Sequence, residues 1–140
     1  MFRFRRRFGD RVVLLAALTI TALPALAHHS FAMFDFTKVV TITGTVKEFQ
    51  WTNPHVTVWV NVDGKDPKTP DLWWLEMTSP GNLTRTGWNR KALNAGDKVV
   101  VELNPLRDGK LGGALIKVTN STTGQVFSTN LRDMEKPGLQ

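Results

Sequence analysis

From Val39 onward the chain alternates apolar and polar residues with a period of two. Val40, Ile42 and Val46 fall on one face and Thr41, Thr43 and Thr45 on the other, which is the pattern of a half-buried β-strand. Gly44, inside this run, predicts a bend or bulge there. A second strand runs from His55 to Val62, with Val56, Val58, Val60 and Val62 facing one way and His55, Thr57, Trp59 and Asn61 the other. Asn53 and Pro54 punctuate the join between the two. The stretch from Asp63 to Pro70 is rich in turn residues and reads as a hairpin loop, after which Leu72 to Met77 forms a third strand. Ser79 and Pro80 then open a capped helical turn with proline at its first position. A fourth strand is built on Val99, Val101 and Leu103. Asn104 to Gly113 reads as a loop with a turn at Asp108 and Gly109, Ala114, Ile116 and Val118 make a fifth strand, and Gln125 to Ser128 a short sixth.

This order predicts an all-β fold: a small five- to six-stranded OB-like barrel with one short helical turn between strands 3 and 4. A small β-sandwich is the alternative, because strand count alone does not decide closure.

The segment before the barrel divides in two. Residues 1–27 begin with Arg3, Arg5, Arg6, Arg7 and Arg11, continue as an uncharged apolar run from Val12 to Leu23, and end in Ala25-Leu26-Ala27. About a dozen apolar residues are too few to span a bilayer, which needs about 20, and the small-x-small ending is the pattern of a signal peptidase site. A signal peptide cleaved after Ala27 is therefore expected, placing the mature chain in the periplasm or outside the cell with no remaining membrane span. Arg5-Arg6-Arg7-Phe8 resembles a twin-arginine signal, but Gly9 and Asp10 depart from it, so ordinary secretion is the reading kept. Residues 28–38 mix Phe31, Phe34 and Phe36 with polar residues without sustained periodicity and read as an arm packed on the domain of residues 39–128; residues 129–140 read as a frayed tail.

Charge changes its meaning once the leader is set aside. The chain carries 18 basic and 12 acidic residues, net +6; loss of five Arg and one Asp with the leader lowers this to +2. So small and scattered an excess argues against a nucleic-acid partner. There is no cysteine and hence no disulfide. One core of this size also suits a monomer.

Several segments together carry a family resemblance: HHSFAMFD from His28, GTVKEFQWTNPHVTVWV from Gly44, LWWLEM from Leu72, GWNRKALNAGD from Gly87 and RDGKLGG from Arg107. The chain resembles a bacterial exported family of small proteins of unknown function with an NPH signature and a later GW pair. The resemblance implies an exported barrel-like β domain and no established activity.

The candidate chemistry rests on few residues. Of the three histidines, His28 and His29 would stand at the mature N-terminus, where a free α-amino group and a neighbouring imidazole chelate Cu(II). His28 could supply amine and ring with His55 completing the set, or His29 could chelate through its ring and the intervening amide. Copper is the one cofactor this donor set suggests, and the alternative is an ordinary cleavage junction. If strands 2 and 3 pair with Val62 opposite Asp71, then Trp59 faces Trp74, Thr57 faces Glu76, Val58 faces Leu75 and Val60 faces Trp73. His55 lies diagonal to Glu76. One sheet face then carries His55, Trp59, Trp74 and Glu76. That face could bind metal through His55 and Glu76, or a small ligand or partner protein through Trp59 and Trp74, or it could simply be covered by the arm. Met33 is a further soft donor, and Met77 falls on the core side. Arg85, Arg90 and Arg107 read as solvated or ion-paired surface groups, with a grip on an anionic ligand as the lesser alternative, and Trp88, after Gly87, as a ring plugging one end of the barrel. No Ser-His-acid set, phosphate loop or HExxH is present. The residues thus point to a binding module rather than an enzyme.

Overall fold

A computed structural model describes residues 31–66 and 68–129. The expected leader, His28, His29 and the chain from residue 130 lie outside these. A 3-10 turn (Phe31–Met33) leads into β1 (Val40–Gln50), β2 (Thr57–Asp66) and β3 (Thr69–Glu76); a short helix α1 (Pro80–Thr84) precedes β4 (Lys98–Pro105), β5 (Gly112–Asn120) and β6 (Val126–Ser128). The sheet order is β3-β2-β1-β4-β5-β6, and a parallel pairing of β3 with β5 closes the first five strands into a barrel. This is the OB strand order, with β6 added along β5, and closure decides against the sandwich.

β1 serves both halves of the barrel: Gly44 pairs with Val62 of β2 on one side and Val99 of β4 on the other. A side chain there has no room, because a Cβ would stand 2.8 Å from Val60 Cγ1 and closer still to the Asn61 carbonyl oxygen. The irregularity expected at Gly44 falls instead between Val46 and Glu48. The extra residue, Lys47, switches the alternation, so Phe49 packs inward with Ile42 and Val46.

The β2–β3 register is the expected one, with Thr57, Val58, Trp59, Val60 and Val62 opposite Glu76, Leu75, Trp74, Trp73 and Asp71. Val58, Val60, Leu75 and Met77 are thereby buried, and Trp59 and Trp74 share the other face. The hairpin is longer than the sequence suggested, pairing as far as Asp66 and Thr69, because backbone pairing needs no apolar pattern to continue.

Two further expectations are corrected. The ladder of β4 and β5 shifts between Glu102 and Leu103, which brings Leu115 rather than Ile116 into the core beside Val118. The loop expected over 104–113 is also shorter, since β4 runs to Pro105 and β5 starts at Gly112. Gly112 and Gly113 pair with Trp74 and Leu75 and close the barrel. A Cβ on Gly112 would sit 2.7 Å from the Trp74 carbonyl oxygen, so glycine permits this approach.

Ser79 caps α1, its hydroxyl accepting from the Asn82 N–H (3.4 Å), with Pro80 at the first helical position as expected. The helix buries Leu83 and leads to Gly87, whose φ of 91° turns the chain so that Trp88 enters the core. Trp88 packs on Phe127 (ring centroids 5.0 Å apart) and Phe49 (6.1 Å), and its indole N–H donates to the Ser128 carbonyl (2.9 Å). Thr129, assigned to the tail from sequence, is buried, with its hydroxyl donating to the Leu115 carbonyl.

Among the described residues before β1, the chain is bonded to the end of β4 and the loop after it. Phe34 is buried and bridges to Leu106; Asp35 N–H donates to the Pro105 carbonyl (2.8 Å) and Arg107 N–H to the Met33 carbonyl (2.9 Å). Hydrogen bonds from the Thr37 hydroxyl (2.6 Å) and the Lys38 ammonium lower the Asp35 carboxyl pKa from 3.8 to about 2, so this turn keeps its charge into acid where a free carboxyl is protonated.

Candidate functional site

The outward face of β2 and β3 is where the chemistry gathers. Strand alternation turns Val58, Val60 and Leu75 inward, so Trp59, Trp74 and Glu76 must point the other way. His55 sits in the β1–β2 loop after the cis Asn53-Pro54 bond. The next residue is fixed from both sides: Val56 N–H donates to the Thr78 carbonyl (3.1 Å) and Met77 N–H to the Val56 carbonyl (2.9 Å). These bonds hold the imidazole against Glu76, and His55 Nδ1 is hydrogen-bonded to Glu76 Oε1.

Glu76 is almost wholly buried, with a side-chain exposure of 3%, whereas His55 keeps 17%. The hydrogen bond to Glu76 raises the His55 pKa above its ordinary 6.5 against the opposing effect of burial. With Nδ1 engaged, Nε2 is the ring nitrogen left for another partner. Glu76 Oε2 is buried and has no hydrogen-bond partner among the described residues.

Two adjoining clefts lie on this face, with Trp74 as their common wall. The larger, of about 460 Å³, is lined by Met33, Trp59, Trp74, Leu106, Arg107, Asp108 and Lys110. The smaller, of about 250 Å³, is lined by His55 and Glu76 together with Gln50, Thr52, Asn53, Pro54, Thr57 and Trp74. The first is within the size of small-molecule sites and is almost wholly apolar; the second has the larger polar share. The loop after β4 is tied to β3, since Trp74 N–H donates to the Leu111 carbonyl (3.2 Å). In an OB barrel the strand 2–3 face framed by the β1–β2 and β4–β5 loops is the usual binding surface, and both loops line clefts here.

The predicted residues therefore separate into two groups. His55, Glu76, Trp59 and Trp74 come together on one face, as the register reading required. His28 and His29 lie outside the described residues, and among the described residues no group of three or more His, Cys, Asp or Glu could hold a metal ion. Met33 is on the larger cleft and Met77 is sealed in the core. Arg107, read from sequence as a surface group, reaches the cleft, whereas Arg85 and Arg90 are exposed and line neither cleft. Sequence reasoning missed Leu106, Gln50 and Thr52 as lining residues; the OB strand order, with its two framing loops, was the signal that could have indicated them.

Fold and face together define a small closed OB-type β-barrel with paired clefts on its strand 2–3 surface. The chain belongs to DUF6152, a family of unknown function, whose profile matches residues 15–116. No curated protein and no solved structure matches it. Among the described residues no helix is long and apolar enough to cross a membrane.

Proposed function

We propose that the chain is an exported binding module that takes a small, flat ligand against Trp59 and Trp74. The observation carrying this reading is the cleft of about 460 Å³ in which two cross-strand Trp rings meet Met33 of the arm and Leu106 of the β4–β5 loop. Large aromatic surface left half-exposed beside a concavity is what a recognition site provides, because indole faces give contact area at small entropic cost. Calorimetric titration with naphthalene-2-methanol should give saturable one-to-one binding. Trp74→Ala, which removes the wall common to both clefts, should weaken it about tenfold or more, from a stacking contribution of about 1–3 kcal/mol. Undiminished binding by that variant would refute the reading.

A second reading, Cu(II) binding, is supported by the pairing of His55 with Glu76. A carboxylate on one ring nitrogen is the usual outer-sphere support for a histidine that ligates metal through the other. Cleavage after Ala27 would supply His28 and His29 five and four residues before Met33, and an extended chain covers at most about 3.6 Å per residue. A protein beginning at His28 should bind Cu(II) tightly, and less so as the pH falls and the amine and imidazoles protonate, His55 from above its ordinary 6.5. Acetylation of the His28 α-amino group, which removes the amine from every chelate, should abolish tight binding, and His55→Ala should weaken it. Equal affinity in all three proteins would make any bound copper adventitious.

A further inference from the structure

We propose that the ligand of the Trp59–Trp74 cleft is a planar aromatic carboxylate, its ring on the two indoles and its carboxylate on Arg107, an inference that rests on the Trp-face reading above. Trp59, Trp74, Met33 and Leu106 make the cleft apolar, so the body of the ligand must be apolar, and a flat ring best uses the indole faces. Three charged residues stand at the same cleft, and they are not equivalent. Lys110 is committed to Asp108, with its ammonium 2.9 Å from the carboxylate, and the same carboxylate also accepts the Lys110 N–H at 3.0 Å. Arg107 has no carboxylate partner among the described residues, so the cleft carries one uncompensated positive charge.

That charge is on a well-anchored backbone. Arg107 N–H donates to the Met33 carbonyl, and the preceding residue, Leu106, donates its N–H to the Gly112 carbonyl (3.0 Å). The guanidinium thus extends from a fixed point beside the indoles. Its planar fork is matched by a carboxylate, which it can hold through two parallel hydrogen bonds. The other cationic group of this face does not compete, because a protonated His55 is already neutralised by Glu76. An aromatic cation would meet Arg107 with like charge, and a neutral ring would leave the guanidinium unused.

The test is calorimetry at fixed, low ionic strength with three probes of nearly equal shape: 2-naphthoate, naphthalene-2-methanol and 2-naphthylmethylammonium. The protein should bind 2-naphthoate about tenfold more tightly than the alcohol, with the ammonium weakest, as expected for one charge-assisted contact of about 1.5 kcal/mol at a partly exposed site. Arg107→Gln should abolish the preference for 2-naphthoate over the alcohol, and its thermal midpoint should match that of the parent protein, since residue 107 is exposed. Equal binding of 2-naphthoate and the alcohol by the parent protein would overturn the carboxylate assignment and leave the Trp-face reading standing. So would a preference for 2-naphthoate that survives Arg107→Gln. Failure of all three probes to bind would remove both.

Discussion

Val58→Asp is expected to leave no folded domain at room temperature. Val58 is 1% exposed, paired with Leu75 on β3 and Phe49 on β1, and lies at the centre of the barrel interior. The carboxylate would meet only apolar neighbours there, with no cation in the core cluster to pair with it. Burial of an unpaired ionised group costs several kcal/mol even after its pKa has shifted, against a total stability of roughly 5 to 15 kcal/mol for a domain of this kind. Thr43→Asp, on the exposed face of β1 opposite Val100, is the matched control and should cost less than about 1 kcal/mol. Circular dichroism of the two variants checks this directly, and a folded, cooperatively melting Val58→Asp would show that the inward face has been misassigned.

Trp88→Ala is the next largest effect expected, a loss of about 3–5 kcal/mol. The indole is 1% exposed and fills the space between Phe49 and Phe127, so truncation removes contacts with β1 and β6 at once and leaves a cavity. It also leaves the Ser128 carbonyl without its indole donor. Trp88→Phe separates the two contributions: it keeps an aromatic ring and forfeits the hydrogen bond, worth about 0.5–1.5 kcal/mol, together with part of the packing. Urea denaturation should rank the proteins parent, Trp88→Phe, Trp88→Ala. Equal midpoints for parent and Trp88→Ala would mean that this ring is not part of the core that joins β6 to the barrel.

The parts of the fold that were legible in sequence are those in which side-chain parity alone decides the outcome. Val56, Val58, Val60 and Val62 alternate with polar or aromatic residues, and once they are placed inward the β2–β3 register follows, bringing Trp59 onto Trp74 and His55 near Glu76. Parity fails where the backbone inserts an extra residue. The irregularity at Lys47 carries Phe49 inward, and the shift near Leu103 exchanges Ile116 for Leu115 in the core; neither leaves a mark in local composition. The barrel was the expected fold, but the pairing that closes it was hidden, because Gly112 and Gly113 look like loop residues until β3 is placed against them.

The site shows the same division. His55, Trp59, Trp74 and Glu76 share one face and could be read from the β2–β3 pairing. Leu106 and Arg107 reach the cleft only because the arm and the β4–β5 loop are tied to each other and to β3, through contacts between segments far apart in the chain. A sequence pattern records which way a residue faces on its own strand. It does not record which loop comes to rest beside it.

The central claim, that the outer face of β2 and β3 is the binding surface, is tested most directly by nitrogen–proton correlation spectra of the five indole groups during titration with naphthalene-2-methanol, a neutral probe that does not depend on Arg107. The indole signals of Trp59 and Trp74 should move saturably and together, while that of Trp88, sealed in the core and bonded to Ser128, stays in place. Movement of the Trp51, Trp73 or Trp88 signals with those of Trp59 and Trp74 unchanged would contradict the account.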